Sequence, residues 1–176
     1  MADPIRLVVD NKRLKRLIRR VDRKEGALRR MLRIWGRLYL AAVRERYNRL
    51  SRGGGEWPPL SPVTIARKQS RSGSRLGGEP PSAILKDTGQ LFNALEPGAP
   101  GNTFRDTPDG ILVGIGGPVA HAGSTATMAQ IAEFHQVGAG KLPARPIMFL
   151  PTESDPVVAQ MMQVAGRIID ETAEGA

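Results

Sequence analysis

From Asp10 to Ser51 the chain contains no proline, and across that stretch apolar residues recur at three- and four-residue steps: Leu14, Leu17, Ile18, Val21, Leu28, Leu32, Trp35, Tyr39, Val43, Tyr47 and Leu50. Such spacing is the stripe of an amphipathic helix, with the remaining surface here covered by arginine. A single helix of about 40 residues would span roughly 60 Å, longer than a domain of this size is wide, so part of it is expected to project or to pack on another subunit. Gly26 and Gly36 fall inside the pattern. Each costs about 1 kcal/mol against alanine in a helix interior, which predicts a break or kink near Gly26. The expectation is a first helix near 10–23 and a second near 26–51, the latter ended by Gly53-Gly54-Gly55.

Charge divides the chain at the same place. Residues 1–52 carry 17 Lys/Arg against 5 Asp/Glu, whereas 53–176 carry 9 against 12. The reading is therefore a basic helical arm over 1–52 and a mildly acidic body domain over 53–176. A front of this kind suits nucleic acid, an acidic protein or anionic lipid. Fourteen arginines against three lysines in the arm favour planar, bidentate contacts over generic solubility. The arginines placed to face a partner or DNA are Arg13, Arg16, Arg19, Arg20, Arg23, Arg30, Arg33 and Arg37.

The body reads as α+β. Ser61-Pro62 opens a helix of about one and a half turns, with serine as cap and proline in the first position. Residues 69–82 are rich in Ser, Gly and Pro and read as a surface loop. Over 84–96, Asp87 or Thr88 is expected to cap a short helix, Asp87 and Gln90 standing at capping-box spacing. Thr103–Thr107 and Ile111–Ile115 flank Pro108-Asp109-Gly110, the signature of a hairpin and the basis for a small antiparallel sheet. Thr127 and Gln130 form a second capping-box pattern before a helix ending near Gly138. Residues 142–146 should be extended and 147–150 a short buried strand or core plug. Asp155-Pro156 starts a C-terminal amphipathic helix whose broad apolar face is either core or a subunit contact.

Motifs for catalysis are missing. The chain has no Gly-x-Ser-x-Gly, no phosphate-binding loop, no HExxH and no EF-hand, and it has no cysteine to serve as nucleophile or zinc ligand. Gly114-Ile115-Gly116-Gly117 begins like a dinucleotide loop, but position 119 is valine and Pro118 breaks the helix that should follow, so it reads as a strand end and turn. His121 and His135, the two histidines, match no ligand spacing. No enzyme activity, cofactor or metal is expected, and His135 reads as a hydrogen-bonded, partly buried residue. No apolar run approaches the roughly 20 residues of a membrane span, and MADPIRLVVDNKR holds no signal core, so neither membrane insertion nor secretion is expected.

Five blocks then carry a resemblance. Gly55-Glu56-Trp57-Pro58-Pro59-Leu60-Ser61-Pro62-Val63-Thr64-Ile65-Ala66-Arg67-Lys68 resembles the Trp-Pro-Leu-Ser … Thr … Lys block of the phage virion morphogenesis, or tail completion, family. Ile84-Leu85-Lys86-Asp87-Thr88-Gly89-Gln90-Leu91, Val113-Gly114, Phe134-His135-Gln136-Val137-Gly138 and Leu142-Pro143-Ala144-Arg145-Pro146-Ile147 are similar to later blocks of that family, in its order. Val119-Ala120-His121-Ala122 stands where the family often has Tyr-Ala, and Ile147 where it usually has phenylalanine. The resemblance implies a structural virion protein of a tailed bacteriophage or prophage, assembled in the host cytoplasm and acting at the neck. Its partners would be other neck and tail proteins (connector, tail terminator or tube) and copies of itself in a sixfold or twelvefold ring. The arginines could line a lumen in non-specific contact with packaged DNA or grip an acidic neighbouring ring, and the protein partner is preferred because a lumen that holds DNA tightly would hinder ejection. Under this resemblance Trp57, Pro58, Leu60, Thr88, Gly89, His135, Gln136, Gly138, Pro143, Arg145 and Pro146 are structural anchors. Trp57 would plug a core or interface, and Arg145 would brace the extended segment through backbone carbonyls or a carboxylate. The competing reading is a sequence-independent nucleic-acid-binding protein that uses the arginine-rich helices.

Overall fold

A computed structural model describes residues 25–70, 79–121 and 124–174. The helix expected at 10–23, and with it Arg13, Arg16, Arg19, Arg20 and Arg23, lies outside these residues, as does most of the 69–82 loop. The described chain is α+β. Helix α1 (Glu25–Ser51) is followed by α2 (Pro62–Ser70), α3 (Gln90–Asn93), strands β1 (Asn102–Thr107) and β2 (Gly110–Ile115), α4 (Met128–Val137) and α5 (Pro156–Glu174). No described helix is long and apolar enough to cross a membrane.

Helix α1 is the spine. Its stripe buries Met31, Trp35, Tyr39, Leu40, Val43, Tyr47 and Leu50, the last three of the stripe, Val43, Tyr47 and Leu50, having no solvent exposure at all. The described part of the basic segment thus does not stand apart from the body; it runs through the body's core. Helix α5 packs along it, burying Val157, Met161, Val164, Ala165 and Ile168. The hairpin covers another side of α1, its strands antiparallel with Thr107 opposite Gly110, so the turn proper is Pro108-Asp109.

Gly36 does not interrupt α1. It sits mid-helix because the hairpin comes too close for a side chain: a Cβ there would lie 3.0 Å from Phe104 and Val113 and 3.1 Å from Ile111. Close packing, rather than a break, accounts for this glycine.

The local signals elsewhere are mostly realised. Ser61 Oγ accepts the Thr64 amide at 3.2 Å, and Pro62 takes the first position of α2. Thr127 and Gln130 close a full capping box on α4. Pro156 begins α5. Residues 147–150 form no strand; Ile147 and Met148 are buried as a core plug. The exception is 84–96. The helix there is one turn, Gln90–Asn93, and its N-cap is Gly89, left-handed at φ 74°, with no side-chain cap. A residue in that conformation cannot continue a helix backwards, so the Asp87–Gln90 capping box does not form. Thr88 Oγ1 accepts from the Gln90 amide at 3.4 Å.

Replacing Gly36 by leucine would force the hairpin off α1. Overpacking of this kind costs about 1–3 kcal/mol or more, outweighing the gain of about 1 kcal/mol in helix propensity. The expected result is a lower urea midpoint with the native fold retained. An unchanged or raised midpoint would mean that the hairpin does not rest on Gly36.

Candidate functional site

Four of the five sequence blocks that resemble the virion family meet at one place beneath α1, and the fifth, Val113-Gly114, lies in β2. The centre of the place is the extended segment 143–148. Pro143 and Pro146 keep that segment from entering a helix or a sheet ladder. Outside a ladder it satisfies its backbone largely from side chains, and residues far apart in sequence supply them.

Arg145 is buried, 5% exposed. Its Nε and Nη2 both donate to the Pro58 carbonyl at 3.0 Å, and Nη2 also donates to the Pro59 carbonyl at 3.2 Å. The guanidinium fork thereby clamps the Pro-Pro turn of the first block. Burial holds its pKa below the ordinary arginine value. The Arg145 amide donates to the His135 carbonyl at 2.6 Å. Next to it the Pro146 carbonyl accepts two donors, Arg46 Nη1 at 2.8 Å and Trp57 Nε1 at 3.1 Å.

Gln136 treats the segment as a strand would. Its Oε1 accepts the amides of Ile147 and Met148, both at 3.0 Å, and its Nε2 donates to the Met148 carbonyl at 2.9 Å. One side-chain amide satisfies three backbone groups. Gly138, at φ 82°, lets α4 end here; a Cβ would stand 3.1 Å from the Ala144 nitrogen and the Leu142 carbonyl oxygen.

Trp57 is a core plug, 4% exposed and edge-on to Tyr47 with centroids 5.2 Å apart. Pro58 and Pro143 are exposed, whereas Leu60 and Pro146 are half-buried. Thr88 stands 3.5 Å from His121 Nε2, and Gly89 turns the chain into α3.

Two lysines escaped the sequence reading as site residues. Lys68 is 7% exposed and donates to the carbonyls of Ala83 at 2.6 Å and Lys86 at 3.0 Å. Its burial lowers its pKa. Lys86, equally buried, donates to Asn48 Oδ1 and Glu79 Oε1, both at 2.6 Å, and sits over the Phe92 ring. Both residues stand inside quoted blocks, at the end of the first and within the second. What sequence could not show is that a lysine would serve as an internal clamp, since lysine is almost never fully buried unless paired. Around these residues lies a cleft of about 470 Å³ lined by Leu60, Thr64, Lys68, Asp87, His135 and Arg145, among others.

His135 is partly buried, as expected, but not fully hydrogen-bonded: its Nδ1 and that of His121 are buried without partners. Burial, then the charge of Arg145 and the neighbouring His121, push the His135 pKa down to about 4. Among the described residues no group of three or more His, Asp or Glu is placed to hold a metal ion.

The arginines of α1 divide. Arg33 binds Asp106 with both arms, at 3.1 and 2.5 Å, and Arg30 binds Glu171 at 3.0 Å. Arg44 pairs with Glu96, and Arg46 with Glu56. Arg37 is exposed. Thus Arg30 and Arg33, read from sequence as partner-facing, pair with carboxylates of the body while their side chains stay more than half exposed. Comparison with protein-family models, with curated proteins and with solved structures gives no match to this chain.

Arg145→Lys would keep the charge but lose the planar fork. A lysine cannot reproduce three bonds to two adjacent carbonyls, and each bond from a charged donor contributes about 1.5–3 kcal/mol. The expected loss is about 2 kcal/mol in denaturant unfolding with an unchanged m-value; a loss below about 0.5 kcal/mol would show that the clamp is dispensable.

A pH effect follows from His135. Its pKa is lower folded than unfolded, so between about 6.5 and 4 the unfolded chain binds the extra proton. The stabilising effect of the neutral ring is complete above pH 6.5 and is lost as pH falls towards 4. In the His135→Gln variant the unfolding midpoint should vary less over that interval than in the parent. Parallel curves would rule His135 out as the titrating group.

Proposed function

We propose that this protein is a structural virion subunit of a tailed bacteriophage or prophage, a ring-forming protein that acts at the neck in tail completion and head–tail joining. The observation that carries this reading is the convergence just described. Blocks separated by up to 90 residues, in the order of the virion morphogenesis family, meet in one brace. Within it Arg145, Gln136 and Trp57 direct their polar atoms at backbone, where they hold shape. That is the use expected of anchor residues in a scaffold, and it supports a non-enzymatic role. The partners under this reading are connector, tail terminator or tube proteins and further copies of the chain. A closed ring needs two complementary patches on each subunit.

Sequence-independent nucleic-acid binding through the basic helices is the second reading. It gains less support from α1, because Arg30, Arg33, Arg44 and Arg46 are engaged with carboxylates of the body.

Inactivating the gene in its phage or prophage and imaging the induced lysate by negative-stain electron microscopy tests the proposal. Filled heads lying beside finished, unattached tails are expected, with joining restored when the protein is supplied. Normal virions from the inactivated gene would overturn the neck role, and salt-dependent DNA binding by the purified chain would then favour the second reading.

A further inference from the structure

Two buried cations of the body have no counter-ion beside them. Arg145 and Lys68 are 5% and 7% exposed, and both direct their donors at neutral carbonyls. Among the described residues no carboxylate forms an ion pair with either. A charge taken out of water without an opposite charge is costly, and an anion that reaches it relieves that cost. Both cations line the cleft of about 470 Å³, and exposed Arg67 and Lys141 add two more at its border. Lys86 lines it as well but is already neutralised by Glu79 at 2.6 Å. Among the lining residues the one carboxylate is Asp87, which acts on Lys68 through space and does not pair with it.

Donors are left over at the same place. Lys68 Nζ carries three and uses two. Arg145 uses Nε and Nη2, while its Nη1 makes no hydrogen bond with the described residues. His135 also lines the cleft, and its Nδ1 is buried without a partner. Leu60, Leu85 and Leu142 supply apolar wall between these groups.

We propose that this cleft is an anion site, and that its ligand is the carboxylate of a glutamate or aspartate on an acidic segment of a partner protein. Depth favours a carboxylate side chain over a nucleic-acid phosphate. A duplex is a broad rod whose phosphates would meet exposed Arg67 and Lys141 at the rim, leaving the buried pair unserved. A slim acidic side chain enters further. Its methylenes lie against the leucines, and its two oxygens accept from the spare donors in charge-assisted hydrogen bonds, the stronger kind. The inference concerns the cleft alone and does not require the neck role.

The chain has two histidines, so the ring signals of His135 are readily followed by NMR. The probe is the blocked peptide acetyl-Leu-Glu-Glu-Leu-amide, titrated into the full chain beside its counterpart acetyl-Leu-Gln-Gln-Leu-amide. The glutamate peptide should shift the His135 ring signals saturably, and the glutamine peptide should bind about tenfold more weakly. Changing Arg67→Gln together with Lys141→Gln removes two exposed charges and should weaken the glutamate peptide about fivefold. The comparison of the two peptides is made on the parent chain, so it stands even where the double variant folds poorly. The absence of a saturable shift, or equal binding of the two peptides, would overturn the proposal, as would full affinity in a folded double variant. A short DNA duplex that shifts the same signals at lower concentration than the glutamate peptide would overturn it in favour of a phosphate site. None of these readouts depends on virion assembly, so the cleft and the neck role can fail separately.

Discussion

The structure depends on one arrangement repeated along α1: an aromatic ring buried in the core, with its polar tip donating to the backbone of a distant segment. Trp35 Nε1 donates to the Met161 carbonyl on α5 at 2.8 Å. Tyr39 donates to the Phe149 carbonyl at 2.8 Å, and Tyr47 to the Leu85 carbonyl at 2.5 Å. Each contact combines a large apolar burial with a satisfied polar group, which is where these residues contribute most. Between them they fix the C-terminal helix, the core plug and the loop before α3 to a single rod. Burial drives the Tyr39 hydroxyl up to about 12 and the Tyr47 hydroxyl higher still, so both stay protonated donors throughout the ordinary pH range.

Around that rod, much of the body lacks regular structure. The sheet has two strands and α3 a single turn. A body so poor in ladders must satisfy its buried backbone otherwise, and side chains do it: Arg145 for Pro58 and Pro59, Gln136 for Ile147 and Met148, Lys68 for Ala83 and Lys86. The groups to be met differ: the Pro58 and Pro59 carbonyls, like those of Ala83 and Lys86, need donors alone, whereas Ile147 and Met148 present amides as well as a carbonyl, which a side-chain amide can serve from both ends. Arginine brings several in a fixed plane.

How much of this was legible depends on the range of the interaction. Local chemistry read out well. Ser61-Pro62, the Thr127–Gln130 box, the Pro108-Asp109 turn and Pro156 all act within four residues, and all sit where their spacing puts them. The stripe on α1 was legible from Leu28 onward, Leu28 and Leu32 packing half-buried against the core, although Met31 and Leu40 are also buried. The short α3 was not, because its start is decided by the left-handed backbone at Gly89 rather than by the caps before it. Nor were the acidic partners of the arginines, since Arg30–Glu171 and Arg33–Asp106 join residues 141 and 73 positions apart. The blocks at 55–68 and 135–147 were visible as strings. That Arg145 of one holds the carbonyls of the other was not.

Those arginine–carboxylate pairs redistribute the molecule's electric field. The residues from α1 onward carry 17 Lys/Arg against 14 Asp/Glu and are close to neutral, while the 24 before them carry a net charge of +6. The net positive charge of the chain is thus concentrated in its first 24 residues in sequence. An acidic partner would be drawn to that charge over the roughly 8 Å that physiological salt allows. Raising the ionic strength would blunt the attraction without loosening the core.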